Sequence, residues 1–243
     1  MNEKEKFAIE CNNNIELQGE NNSLNKAKND FLKESIDSRY SYNFKWMGRP
    51  IIQYPQDIVI MQELIWDIKP DLIIETGIAH GGSLILYASI LELIGEGEIV
   101  GIDIDIREHN KKDIVNHPMS KRISMIQGSS IDPIVVNQVK EIAKDKKTIM
   151  VLFDSNHGHE HVLEELKAYA NLTTVGSYCV VFDTVVEDLP KDIYNDRPWG
   201  VGSNPKTAVF EFLKTNSDFE IDKSIDNKIL ISVAPDGYLK RVK

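Results

Sequence analysis

The feature that most constrains this chain is a repeating order that begins at Pro70. A short apolar run is followed by a turn, then by residues at helical spacing, and the cycle repeats. Leu72-Ile73-Ile74 is the first run, continuous as expected for a strand buried on both faces. Gly82 to Ile94 reads as a helix, and Glu98 to Asp105 and Ile123 to Gln127 as strands. Pro133 to Ala143 is helical, Thr148 to Asp154 a strand, His159 to Leu172 a helix and Tyr178 to Asp183 a fifth strand. This alternation predicts βαβ units in a doubly wound, mostly parallel α/β sheet. Near the end, Pro205 to Lys214 reads as a helix. Phe219 to Ser224 and Ile229 to Ala234 are joined by Ile225-Asp226-Asn227-Lys228, which predicts an antiparallel hairpin at the sheet edge.

The region before Pro70 has another texture. Residues 1–40 are polar and rich in Asn, Lys and Glu, with one helical pattern from Leu24 to Ile36. They are expected to form an extension, partly helical or mobile, ahead of a main domain at 41–243. Trp46-Met47-Gly48-Arg49-Pro50 suggests an ordered loop, and Asp57 to Ile68 a helix that ends at Lys69-Pro70. The net charge of −10 argues against a nucleic-acid partner and against attraction to anionic lipid. No apolar run approaches membrane-spanning length, the N-terminus lacks a signal-peptide core, and the two cysteines lie far apart. The expectation is a cytoplasmic protein without membrane insertion. Its polar arm could reach a neighbouring subunit in a homo-oligomer.

Five loops follow the five strands, on the edge where open α/β sheets bind ligands. Glu75-Thr76-Gly77-Ile78-Ala79-His80-Gly81-Gly82-Ser83 is the first. It has neither the dinucleotide spacing nor the Gly-Lys-Ser/Thr of a phosphate loop. Glu75 would repel a pyrophosphate and suits a cationic ligand such as S-adenosylmethionine; the bland alternative is a tight turn. In the second loop, Asp103 can accept hydrogen bonds from two ribose hydroxyls. In the third, Ser129 and Ser130 could border an adenine ring, while Asp132 before Pro133 reads as a helix cap. The fourth holds Asp154 and, three residues on, His157, which is either a general base or a loop histidine. The fifth holds Asp183, placed to face Asp154. Two carboxylates at successive strand ends suit Mg²⁺, whose charge would acidify a substrate hydroxyl. His159 and His161 read as helix-start residues, because neither spacing nor a cysteine supports zinc.

As a set these motifs resemble the cephalosporin hydroxylase-type family of methyltransferases, which includes rhamnosyl O-methyltransferases. The resemblance rests on Trp46-x-Gly48 with Pro50, Lys69 to Gly77 with Gly81-Gly82-Ser83, and Asp154-Ser155-x-His157-x3-His161-Val162. Gly176-Ser177-Tyr178, Asp196-x-Pro198-x-Gly200 and Asn204-Pro205 continue it. It implies a Rossmann-like class I methyltransferase fold, S-adenosylmethionine, often Mg²⁺, and a saccharide or small natural-product acceptor methylated on oxygen. It further implies Glu75, Gly77, Gly81 and Ser83 as the cofactor loop, Asp103 as the ribose acid, and Asp154 and Asp183 as metal ligands. Members often carry Glu-Asp at the end of the fifth strand, where this chain has Phe182 and Asp183. Thr184 is then a further candidate ligand, as catechol-type relatives use an amide there. Those relatives carry a basic residue at the spacing of His157. A loop from Tyr194 to Asn204, with Arg197, Pro198, Trp199 and Gly200, is expected to close over the acceptor. The alternatives are a methyltransferase that needs no metal, a nucleotide-binding enzyme of another class, and an iron hydroxylase built on Asp154, His157 and His161.

Overall fold

The computed structural model describes every residue except Asn195. Two helices come first, α1 (Glu3–Glu20) and α2 (Asn22–Asp37). A small hairpin of β1 (Phe44–Trp46) and β2 (Arg49–Ile51) leads into α3 (Pro55–Ile68). The core then alternates β3 (Leu72–Thr76), α4 (Gly82–Ile94), β4 (Glu98–Asp103), α5 (Glu108–Val115), β5 (Ile123–Gln127), α6 (Pro133–Ala143), β6 (Ile149–Phe153), α7 (His159–Tyr169) and β7 (Tyr178–Val181). It closes with α8 (Pro205–Thr215), β8 (Phe219–Ile221), α9 (Lys223–Ile229) and β9 (Tyr238–Arg241).

Seven strands form one sheet in the order β5-β4-β3-β6-β7-β9-β8. The first five are parallel, and β9 runs antiparallel between β7 and β8. The strand order therefore reverses between β3 and β6, and a crevice opens there beyond the strand ends. β3 shows why the sheet is buried on both sides. Leu72 and Ile74 face the cluster that contains Val139, Leu166 and Val209, while Ile73 faces the one that contains Met61, Leu86 and Leu91. Each such side chain, fully buried, contributes about 1.5–3 kcal/mol, so the apolar run could not serve in an exposed strand.

The sheet-edge hairpin is present, but its second strand differs from the sequence reading. The partner of β8 is Tyr238–Arg241, and Ile229 to Ala234 is not a strand. Asp222 accepts a hydrogen bond from Ser224 N and starts α9, so the supposed four-residue link lies within a helix. Ser232 and Val233 are drawn away from the ladder by Asp57 of α3. The Ser232 hydroxyl and the Val233 amide both donate to its carboxylate, at 2.5 and 2.9 Å.

The polar N-terminal segment is more helical than its pattern suggests. Asn2 and Glu5 form a reciprocal capping box at the start of α1. α1 rests on α9, where Gln18 Nε2 donates to the Asn227 carbonyl at 2.9 Å. α2 is tied to the main domain through Ser35 Oγ and Tyr54 Oη, 2.7 Å apart. Among the described residues, no helix is long and apolar enough to cross a membrane.

Candidate active site at the strand ends

The registers of β3 with β4 and β6 bring three loops together. Thr76 pairs with Ile102 on one side and Phe153 on the other. Gly77 thus lies beside Asp154, and Asp154 N donates to the Thr76 carbonyl at 2.8 Å. Gly77 has φ +92°, and a Cβ there would overlap the Asp154 carbonyl. Gly82 opens α4 under the β2 strand, where a Cβ would overlap the Pro50 carbonyl. These two glycines let the loop, the β6 end and the β2 segment converge. Gly81 (φ +79°) caps α4 beside Ile114.

A cavity of about 490 Å³ fills this junction. Gln53, Gly77, His80, Asp154, His157 and Trp199 are among its walls. Glu75 lies below, completely buried. Ser83 Oγ donates to its Oε2 at 3.0 Å, whereas Oε1 has no partner. Burial pushes the Glu75 carboxyl up to about 8, against the hydrogen bond from Ser83. A buried carboxylate with one bare oxygen is costly unless something binds it.

Asp154, His157 and Asp183 cluster in the cavity wall. One ligand atom of each lies within 4.8 Å of the others. His157 Nδ1 is 3.3 Å from Asp183 Oδ2, and the ring meets Trp199 edge to face at 4.9 Å. Burial, followed by the charges of Asp183 and Glu75, holds the Asp154 carboxyl well above the usual carboxylate range. Asp183 sits in the left-handed region at φ +55°, a strained choice for a non-glycine residue. That turn ends β7 and aims the Asp183 side chain at its neighbours. The repulsion that Asp183 exerts on the Asp154 carboxyl is one that a hard cation between them would relieve.

The other sequence candidates are placed differently. Asp103 Oδ2 accepts from Ile78 N and Ala79 N at 2.8 and 3.2 Å, and Oδ1 from Asp105 N at 3.0 Å. Its carboxylate pins the glycine loop to β4. Ser130 is buried, with Oγ 3.1 Å from His161 Nε2. Ser129, Ser130 and Asp103 do not line the cavity described above. Asp132 caps α6 by accepting from Ile134 N at 2.7 Å. Thr184 is fully buried and donates to the Pro235 carbonyl at 2.6 Å, so its hydroxyl is engaged there. His159 contacts Thr207 and Glu211, and His161 contacts Glu165. Within the loop expected to act as a lid, Asn195 lies outside the described residues. Tyr194, Arg197, Pro198 and Trp199 do line the cavity, with Trp199 between Tyr194 and the Arg197 guanidinium.

Three residues to which sequence reading gave no role matter here. Gln53, 1% exposed, has neither amide atom hydrogen-bonded, and Tyr87 Oη is buried without a partner. Arg49 donates to the His80 carbonyl through Nε and Nη2, at 3.0 and 2.6 Å, and so holds β2 to the glycine loop.

Residues 38–242 match the family model described as rhamnosyl O-methyltransferase/CmcI. The chain belongs to this family. Membership makes it an S-adenosylmethionine-dependent O-methyltransferase, as the motif set implies. It is 27% identical over 225 residues to a rhamnosyl O-methyltransferase of Mycobacterium tuberculosis, covering 87% of this chain and 86% of that one. A Mycobacterium leprae rhamnosyl O-methyltransferase is 26% identical over 223 residues, with 87% and 91% covered. Among solved structures, CmcI with Mg and SAM superposes with a TM-score of 0.59 at 20% identity, covering 83% of this chain and 78% of that one. The O-methyltransferase TomG of Streptomyces achromogenes in complex with SAM gives 0.54 at 15% identity, covering 78% and 81%. These two likenesses concern the fold.

Proposed function

We propose that this family member methylates a hydroxyl of a saccharide or of a small natural product, with Mg²⁺ held by Asp154 and Asp183. The observation that carries the reading is the meeting of Asp154, Asp183 and His157 in one cavity, with the half-satisfied Glu75 buried at the base of the glycine loop. The relatives' acceptor is a rhamnosyl group, which makes deoxysugars the first class to try.

Glu75 and Ser83, on the glycine loop, face the cationic cofactor, and Asp103 holds that loop in place while offering its remaining lone pairs to the ribose. Ser129 and Ser130 stand in the loop after β5 and would serve the base only at its far edge. Mg²⁺, when bound, supplies charge that makes a nearby hydroxyl more acidic. Thr184 is not needed in its ligand set. His157 Nδ1 lies 3.3 Å from Asp183 Oδ2, and with the ring proton on that nitrogen Nε2 takes the acceptor's proton. Transfer from sulfonium to oxygen needs the acceptor aligned behind the transferable carbon and shielded from water. Trp199, Tyr194 and Arg197 form the wall that supplies this alignment, and the aromatic faces suit a sugar ring. The reading places the methyltransferase domain at 41–243, with 1–40 as an extension that a homo-oligomer could use. It also places the chain in the cytoplasm, in keeping with its free cysteines Cys11 and Cys179.

The test is a methyl-transfer screen on sugar nucleotides and glycans, with and without EDTA. The expected result is S-adenosylhomocysteine formation with a saccharide acceptor, abolished by EDTA and restored by Mg²⁺. Full turnover in EDTA would remove the metal from the proposal. Failure of S-adenosylhomocysteine to bind would remove the cofactor site.

A further inference from the structure

Gln53 belongs to no motif that carried the functional reading, yet it is the least explained polar side chain at the cavity. It is 1% exposed, it lines the cavity, and both Nε2 and Oε1 lack a hydrogen bond. Because both amide atoms are open, the finding does not depend on which is nitrogen and which is oxygen. Leaving an amide buried and unpaired costs free energy in the ligand-free protein. A binding role would return those hydrogen bonds.

Its surroundings say which part of a ligand it meets. The segment from Pro50 to Gln53 crosses the start of α4, made possible by Gly82. Gln53 therefore stands at the N-terminal end of α4, where Ser83 projects and where free amide groups favour a carboxylate. One turn along the same helix face is Tyr87, whose buried hydroxyl lies near the Gln53 amide without the geometry of a hydrogen bond. Below is the bare Oε1 of Glu75. The set holds donors for a carboxylate and acceptors for an ammonium in one place. The metal-type cluster belongs to the other side of the crevice, on the ends of β6 and β7.

We infer that Gln53 is a binding residue for the amino-acid end of S-adenosylmethionine, its amide spanning the ligand's ammonium and carboxylate above Glu75. The inference rests on the cofactor reading given above. It separates Gln53 from the acceptor side and makes it a determinant of how the sulfonium is oriented.

The test uses the full chain and two nucleosides, S-adenosylhomocysteine and 5′-deoxy-5′-methylthioadenosine, which lacks the amino-acid end. Calorimetric affinities are measured for wild type, Gln53→Met and Gln53→Ala, with melting temperatures of the ligand-free proteins. The expected result is an affinity for S-adenosylhomocysteine at least tenfold weaker in both variants, with that for methylthioadenosine within twofold of wild type. Gln53→Met keeps the side-chain volume and should melt no lower than wild type. If one variant does not fold, the other carries the comparison. Equal weakening of both nucleosides would show a structural role and overturn the inference, as would unchanged binding of both. A rise in the acceptor KM with S-adenosylhomocysteine affinity unchanged would place Gln53 at the acceptor and also overturn it. Wild-type protein that binds neither nucleoside would sink the cofactor reading itself, and the inference with it.

Discussion

Asp57 and Glu75 are both fully buried carboxylates of this domain, and they are treated in opposite ways. Asp57 Oδ1 accepts from the Ser232 and Tyr238 hydroxyls at 2.5 and 2.9 Å, and Oδ2 from Val233 N at 2.9 Å. Three donors partly offset burial, and its carboxyl is raised only to about 6. Glu75 has one donor, a bare oxygen and a carboxyl raised to about 8. Asp57 fastens α3 to the C-terminal segment, and its hydrogen-bond partners are all within the chain. Glu75 Oε1 lacks a partner within the chain. The difference teaches that incomplete satisfaction, more than burial, separates a carboxylate left open to a ligand from a structural one.

The comparison can be broken, starting from the largest effect. Asp154 belongs with Glu75 on the open side, so Asp154→Ala should lower turnover by roughly a thousandfold, the several kcal/mol that metal-assisted charge stabilisation supplies. Melting temperature should be unchanged or higher, because a repelled carboxyl is removed. A variant with near-normal kcat in a working assay would take Asp154 out of the mechanism. Next, Glu75→Gln should weaken S-adenosylhomocysteine by about tenfold to a hundredfold, since a hydrogen bond to a charged group contributes about 1.5–3 kcal/mol. Calorimetry decides this, and equal affinity would make the bare oxygen incidental.

Asp57→Asn should do the reverse. Its amide cannot accept all three donors, and about 2–3 kcal/mol of stability should be lost in urea unfolding. Nucleoside affinity should stay near wild type while the protein is folded. A pH series sharpens the same contrast. A carboxyl raised by folding keeps its proton where the unfolded chain has lost it, so stability is greatest at low pH and falls as pH rises through the folded pKa. For Glu75 the window runs from about 4.5 to about 8. The ligand-free melting temperature should decline across that window, and less steeply in Glu75→Gln. The smallest effect is expected for Thr184→Val, about 1 kcal/mol for the lost bond to Pro235, with the Mg²⁺ dependence of turnover unaltered. A shifted Mg²⁺ requirement would return Thr184 to the ligand set.

The rhythm of apolar runs determined the architecture, because a strand buried on both faces must be continuously apolar and a helix between such strands must be periodic. The ends of α4, α6 and β5 were legible for that reason, and so were the loops that carry Glu75, Asp154 and Asp183. Fold and local chemistry there are set by neighbours in sequence. The errors lie where partners are distant. Ile229 to Ala234 is apolar enough for a strand, but Asp57, far upstream, takes its Val233 amide and Ser232 hydroxyl. The bond from the Thr184 hydroxyl to the Pro235 carbonyl has no sign in the local sequence. Asp103 holds the glycine loop through Ile78 N and Ala79 N, which lie far from it in sequence. Gln53 gave no signal at all, since an unpaired amide is defined by the absence of neighbours in space. Only tertiary structure could decide these cases, because hydrogen-bond satisfaction is a property of the assembled surroundings and not of any stretch of chain.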